Sequence, residues 1–199
     1  MRNIYVTLHV ALMGIIALAF MSTIAGANMY KGYEVPDYSV ERADGPFEIR
    51  TYAPHLVAEV NTRGSRSQAA SRGFRQLAGF IFGGNQQDAS IAMTAPVAQV
   101  PADQGWLIRF GMPSHYDESS LPTPKDANVR IVELPADRQA IVQFTGRWNK
   151  SRLAQHEQAL RAWIDAQGLT VAGPAKYYFY DDPFTLPWKR RNEIALTLN

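Results

Sequence analysis

Three cations in a row, Lys189, Arg190 and Arg191, follow a stretch in which Phe184, Leu186 and Trp188 alternate with Thr185 and Pro187. On a second segment Arg66, Arg72 and Arg75 stand beside Phe74, Leu77 and Ile81, which recur at helical spacing. Large apolar side chains with cations at their rim suit a flat hydrophobic ligand that carries carboxylates. The apolar faces remove ring surface from water, and the planar guanidinium forks pair the anions. The same residues also fit a plainer role, in which Phe184, Leu186 and Trp188 cap a core and the cations are solvated or paired with Asp181 and Asp182. The residues alone leave both open.

Other chemistries find less support. His156 begins His-Glu-Gln-Ala-Leu, but position 160 is leucine where a zinc-protease helix needs its second histidine. It lies at the edge of a Leu153, Leu160 and Trp163 stripe, where a boundary side chain is expected. His115 follows Ser114 without the glycines of a nucleophile elbow. His55 lies in a hairpin turn. Asp181 and Asp182 are adjacent, so on extended chain they point to opposite sides and cannot flank one bond; before Pro183 they read as turn formers. Phe82-Gly83-Gly84-Asn85 has no following Lys-Ser/Thr and reads as a helix stop. The absence of cysteine removes disulfides, thiolate catalysis and thiolate ligation of a metal or haem. No acid, base and nucleophile set stands out, which favours binding over catalysis.

The elements that must position these residues show a weak internal duplication. Phe47–Tyr52 alternates, Pro54 turns, and Leu56, Ala58 and Val60 share one face of a second strand. A helix from about Arg66 to Phe82 follows, stopped by Gly83-Gly84. Later, Val129–Leu134 and Ala140–Thr145 read as strands around Pro135, and a helix runs from about Lys150 to Ala166. Further strand candidates follow each helix: Ser90–Val100 and Trp106–Met112, then Ala175–Asp181 and Glu193–Leu198. About eight half-buried strands and two amphipathic helices predict an α+β protein in which antiparallel sheet curls around a core with the helices outside.

The 199 residues, 46% hydrophobic, suffice for a full core. A formal charge of +2 without a clustered basic helix argues against nucleic acid as a partner. Residues 1–27 read as a signal peptide: Arg2, the apolar run from Val10 to Met21, and Ala25-Gly26-Ala27 as cleavage site. Export to the periplasm or medium is expected, with no stable membrane insertion once the segment is cleaved; an uncleaved anchor is the alternative. Residues 28–42 form a lead-in, and 43–199 a single domain.

In order along the chain, FEIRTYAP, GFRQLAGFIFGGN, IAMTAPV, FGMPSHY, LPTP and YDDPFTLPWKRRNEI resemble the SOUL haem-binding protein family, from about Phe47 to the C-terminus. The resemblance implies a distorted antiparallel β-barrel built from two pseudo-repeated β-α-β-β units with a helix packed outside each. It also implies a tetrapyrrole ligand, haem or free porphyrin, in a hydrophobic cleft between the first helix and the loop before the last strand. Carried onto this sequence, the helix supplies Phe74, Leu77, Ala78 and Ile81. The loop supplies residues from Tyr180 to Arg190, with Phe184, Leu186 and Trp188 as apolar contacts. Some members carry a proposed axial histidine where this chain has Thr51, and lysines where it has Gln76 and Gly79. Propionates would then fall to Arg72, Arg75, Lys189 or Arg190, with His55 and His156 as the axial candidates left, so binding without strong coordination is expected. The rival readings are an enzyme acting on a tetrapyrrole or small hydrophobic acid, and a protein-interaction module on the same barrel.

Overall fold

The computed structural model describes residues 28–199, so the segment read as a signal peptide, 1–27, lies outside the described residues. The alternating stretches form β4 (Phe47–Tyr52), β5 (His55–Thr62), β6 (Val97–Ala102) and β7 (Gly105–Gly111). In the second half they form β8 (Arg130–Leu134), β9 (Asp137–Phe144), β10 (Val171–Phe179) and β11 (Asn192–Leu198). The lead-in, legible only as mixed polar and aromatic chain, folds as a hairpin of β1 (Met29–Tyr30) and β2 (Tyr33–Glu34), then as the edge strand β3 (Tyr38–Asp44).

Nine strands make one antiparallel sheet in the order β3-β4-β9-β11-β10-β6-β7-β5-β8. Apart from β3 the order is symmetric about the β10–β6 pair. β4 answers to β8, β9 to β5, and β11 to β7, so each unit lends its first strand to the edge of the other. β5 and β9 even share one burial pattern residue by residue. The expected barrel is met only in part. Residues from eight successive strands, β4 to β8 in sheet order, line one cavity of about 290 Å³, so the sheet is strongly curled. Among the described residues, however, no hydrogen-bonded ladder joins β3 to β8.

Helix α1 (Arg66–Ile81) starts where the Ser65 amide donates to Gln68 Oε1 at 3.3 Å, one arm of a capping box. α2 (Lys150–Ala166) starts at Asn149, whose Oδ1 accepts from the Arg152 amide at 2.9 Å. Both lie on the same face of the sheet. α1 covers Ala58, Val60, Ile108 and Phe110 with Leu77, Phe80 and Ile81, and α2 covers Ala140, Val142, Ile194 and Leu196 with Leu153, Leu160 and Ile164. Gly73 brings α1 close to the sheet: a Cβ there would lie 2.5 Å from Ile108 Cγ1.

The other face is polar. Glu193, wholly buried, accepts two bonds from Arg50 at 3.1 Å, one from Tyr180 at 2.8 Å and two from Arg191. Burial alone would favour a neutral Arg50, but the carboxylate of Glu193 outweighs it and holds the guanidinium firmly protonated. No helix among the described residues is long and apolar enough to cross a membrane.

Candidate functional site

A cleft of about 760 Å³ opens along one flank of α1. Ala70 and Phe74 form its helix wall, Val97 and Phe179 its sheet wall, and Trp148 with Pro183 its far side. These positions follow from local rules. Ala70 and Phe74 are four apart on α1, while Phe179 points away from its β10 neighbour Tyr178, which lines the cavity on the other face of the sheet. The Phe74 ring stands edge-on to Phe110 at 5.2 Å and keeps 42% of its surface exposed. Trp148 lies 4.7 Å from Phe179. Behind this aromatic wall the Arg66 guanidinium sits 4.5 Å from the Trp148 centroid and donates to Gln99 Oε1 at 3.1 Å. Burial lowers the Arg66 pKa, and nearby Tyr177 opposes the shift. The cation fixes the rings it stacks on.

The rim is cationic. Arg75, Arg147 and Arg190 line the cleft, and none has a salt-bridge partner among the described residues. Arg75 donates to the Ser71 carbonyl, and Arg190 to the carbonyls of Thr185 and Pro183 at 2.7 and 2.6 Å. The two acids nearby are already committed. Asp181 accepts from Lys31 Nζ at 2.5 Å, the Tyr30 hydroxyl at 3.0 Å and the Arg191 amide at 2.7 Å. Asp182 accepts from the Phe184 and Thr185 amides at 2.7 and 2.9 Å, and these bonds hold its carboxyl below the usual range. The pair that could have neutralised the cations is a turn, as its placement before Pro183 predicts.

Of the residues expected in a site, the structure brings Phe74, Arg75, Tyr180 and Arg190 to this cleft. Leu77 and Ile81 instead face the sheet and are buried in the core, because they follow Gly73 on the face pressed to β7. Ala78 is half-buried outside the lining. Arg72 turns back to the Arg63 carbonyl. Phe184, Leu186 and Trp188 neither cap the core nor line the cleft: they are 94%, 47% and 67% exposed on an ordered loop that ends in a short 3-10 turn, Pro187–Lys189. The three consecutive cations divide, with Lys189 in solvent, Arg190 at the cleft and Arg191 turned inward to Glu193.

None of the described histidines lines the cleft. His55 bonds the Ala53 carbonyl beside a different cavity. His156 stacks on Phe144 at 4.0 Å beneath α2, where burial, then the charge of Arg152, lowers its pKa. Arg147, Trp148, Met93 and Ala70 are cleft residues that sequence reasoning did not single out. Arg147-Trp148 repeats the cation-beside-aromatic pairing of Trp188-Lys189 just before α2, a signal present in the sequence. Met93 sits in irregular chain between Ile91 and β6, where no periodicity points anywhere.

The comparisons with known proteins bear on the same residues. The family described as SOUL heme-binding protein matches residues 33–197. Heme-binding protein 1 of Xenopus laevis is 26% identical over 164 residues, which is 77% of this chain and 84% of that protein. The Xenopus tropicalis protein of the same name matches to the same extent. Among solved structures, the EcmrR C-terminal domain aligns with a TM-score of 0.60 at 10% identity, covering 81% of this chain and 98% of that one. A hydrolase from Listeria innocua aligns at 0.55 and 13% identity, over 80% and 94%. These two share the fold. With the family matched over nearly all of the described residues, the chain belongs to the SOUL heme-binding protein family, whose members are binding proteins and not enzymes.

Proposed function

We propose that the protein is exported and binds haem or free porphyrin in the cleft beside α1, as a carrier, buffer or sensor. The observation that carries this reading is an apolar, aromatic cleft whose three rim arginines lack acidic partners among the described residues. Its volume lies in the range of sites that enclose a ligand of several rings. The ring faces would pack on Phe74, Trp148 and Phe179. Arg75, Arg147 and Arg190 would pair the carboxylates, which planar forks grip in two points.

The donor set fits a ring held by its faces and its acids. Among the described residues no histidine lines the cleft, and Met93 is the soft donor among the lining side chains. Haem bound there supplies an iron centre, while this chain's residues bind and orient the ring and exclude water from one face. Affinity is therefore expected to change little, less than about tenfold or about 1.4 kcal/mol, between hemin and protoporphyrin IX.

The test is titration of the full-length chain with both compounds, followed by the Soret band. A saturable change below roughly 100 μM, about 5.5 kcal/mol of binding, is expected for each. No saturable change in that range sinks the proposal. Export is tested separately: the amino terminus of protein recovered from the cell envelope fraction should lie near Asn28, and an intact Met1 in the cytosol would overturn it.

A further inference from the structure

The loop between β10 and β11 puts three large apolar side chains, Phe184, Leu186 and Trp188, into solvent within five positions. This exposure does not come from a loose chain. Asp182 caps the Phe184 and Thr185 amides, Arg190 bonds two carbonyls of the loop, and the Gly146 amide donates to Pro187 O at 2.8 Å. A rigid loop that holds an apolar surface in water keeps a constant unfavourable hydration term, which burial against something apolar removes. The β1–β2 hairpin extends the patch with Met29 and Tyr33, both exposed. Lys31 ties the two segments together, with its Nζ 2.5 Å from Asp181 Oδ1 and 2.9 Å from Lys189 O.

Two further features identify what covers the patch. Lys189 and Arg147 are exposed cations without acidic partners among the described residues. The 27 residues that precede the described chain, with their apolar run from Val10 to Met21, join it at Asn28, next to Met29. From the patch, its cations and this point of attachment, we infer that this end of the molecule docks on an anionic lipid bilayer. Trp188, Phe184 and Leu186 enter the headgroup region, where an aromatic ring gains apolar contact and keeps its polar edge wet. Lys189 and Arg147 meet the lipid phosphates. The inference holds whether the N-terminal segment is kept or removed, because the exposed apolar patch lies wholly within the described residues. Its apolar anchors Phe184, Leu186 and Trp188 lie outside the cleft lining, although Tyr33, Arg147, Pro183 and Arg190 belong both to this end and to the cleft mouth.

The test uses the full-length chain, processed or not as its expression host leaves it. It is mixed with brominated phosphatidylcholine vesicles, with and without brominated phosphatidylglycerol, and tryptophan fluorescence is followed. Quenching is expected with the anionic vesicles, weaker with the neutral ones and relieved by salt. It should disappear in Trp188→Phe and persist in Trp163→Phe. Phe184→Ser combined with Leu186→Ser, with an unchanged near-ultraviolet circular dichroism spectrum, should raise the lipid concentration needed for half-quenching by at least about tenfold. Equal quenching in wild type and Trp188→Phe, or no quenching on any vesicle, overturns the inference.

Discussion

The two halves of the molecule use one frame to different ends. Counted from the N-caps Ser65 and Asn149, Gly73 on α1 and Glu157 on α2 hold the same position. Gly73 presses α1 against Ile108, and the helix flank beyond it stays open as the cleft. Glu157 instead accepts from the Tyr177 hydroxyl at 3.0 Å and pairs with Arg161. Burial and this carboxylate push the Tyr177 phenol up to about 12. Phe47 stacks flat on Trp163 at 5.3 Å, and the Trp163 ring N–H reaches Asp44 at 2.9 Å. α2 is thus stitched to its sheet along both flanks. The comparison teaches that a site can arise in a duplicated frame by leaving out stitches, without new elements.

The polar face repeats the contrast. Glu193 lies between Arg50 and Arg191, and Glu59 between Arg109 and Arg130. Arg50 is 1% exposed, whereas Arg130 is mostly in solvent. Glu193→Gln is therefore expected to cost about 3–5 kcal/mol in denaturant unfolding, since it strands a buried guanidinium. Glu59→Gln should cost about 1 kcal/mol, because its partner Arg130 is already mostly in solvent. Equal losses would show the halves to be alike in this respect. Next in size, Gly73→Ala is expected to destabilise by about 1–3 kcal/mol through overpacking on Ile108, and Glu157→Ala by about 1 kcal/mol through the lost Tyr177 bond.

Two smaller effects sharpen the contrast. Arg147→Ala should weaken hemin binding about tenfold, about 1.4 kcal/mol, with unfolding unchanged. Lys150→Ala, on the sealed helix, should leave the titration as it was. His156 confers a pH dependence on the α2 half. Its folded pKa is lowered, so the unfolded chain takes up the proton first as pH falls below about 6.5. The stability it contributes is present above that pH and is lost as pH drops through the folded value. His156→Gln should flatten this part of the stability curve.

Much of the frame was legible in the sequence because alternation and helical spacing are local. The second helix was expected over Lys150–Ala166, as found, and the first ends at Ile81, one residue short of the expected Phe82. β3 was not legible: Tyr38–Asp44 is an edge strand, almost wholly exposed, so nothing in its residues alternates with burial. Closure into a barrel came from the resemblance and is met only as curl. At the site, the rule that large apolar residues beside cations mark a surface found α1 and the 180–190 loop. It could not tell which apolar residues faced out. Leu77 and Ile81 share a helix with Phe74, but Gly73 fixes the rotation that buries them. The aromatic run in the loop was expected at core or cleft and occupies neither. Arg147 and Trp148 reach the cleft only because the curled sheet carries them beside β6 and β10, a long-range outcome that no window of sequence contains.

The measurement closest to the central claim exploits the matched positions Ala70, which lines the cleft, and Ala154, which is exposed on the sealed half. Both lie the same distance from their N-caps. Ala70→Trp fills the helix wall of the cleft, and Ala154→Trp places the same ring on the opposite helix. Hemin titration should lose its saturable Soret change in Ala70→Trp and keep it in Ala154→Trp, with both variants unfolding cooperatively. An unchanged titration in Ala70→Trp, or an equal loss in both, would contradict the assignment of binding to the open flank of α1.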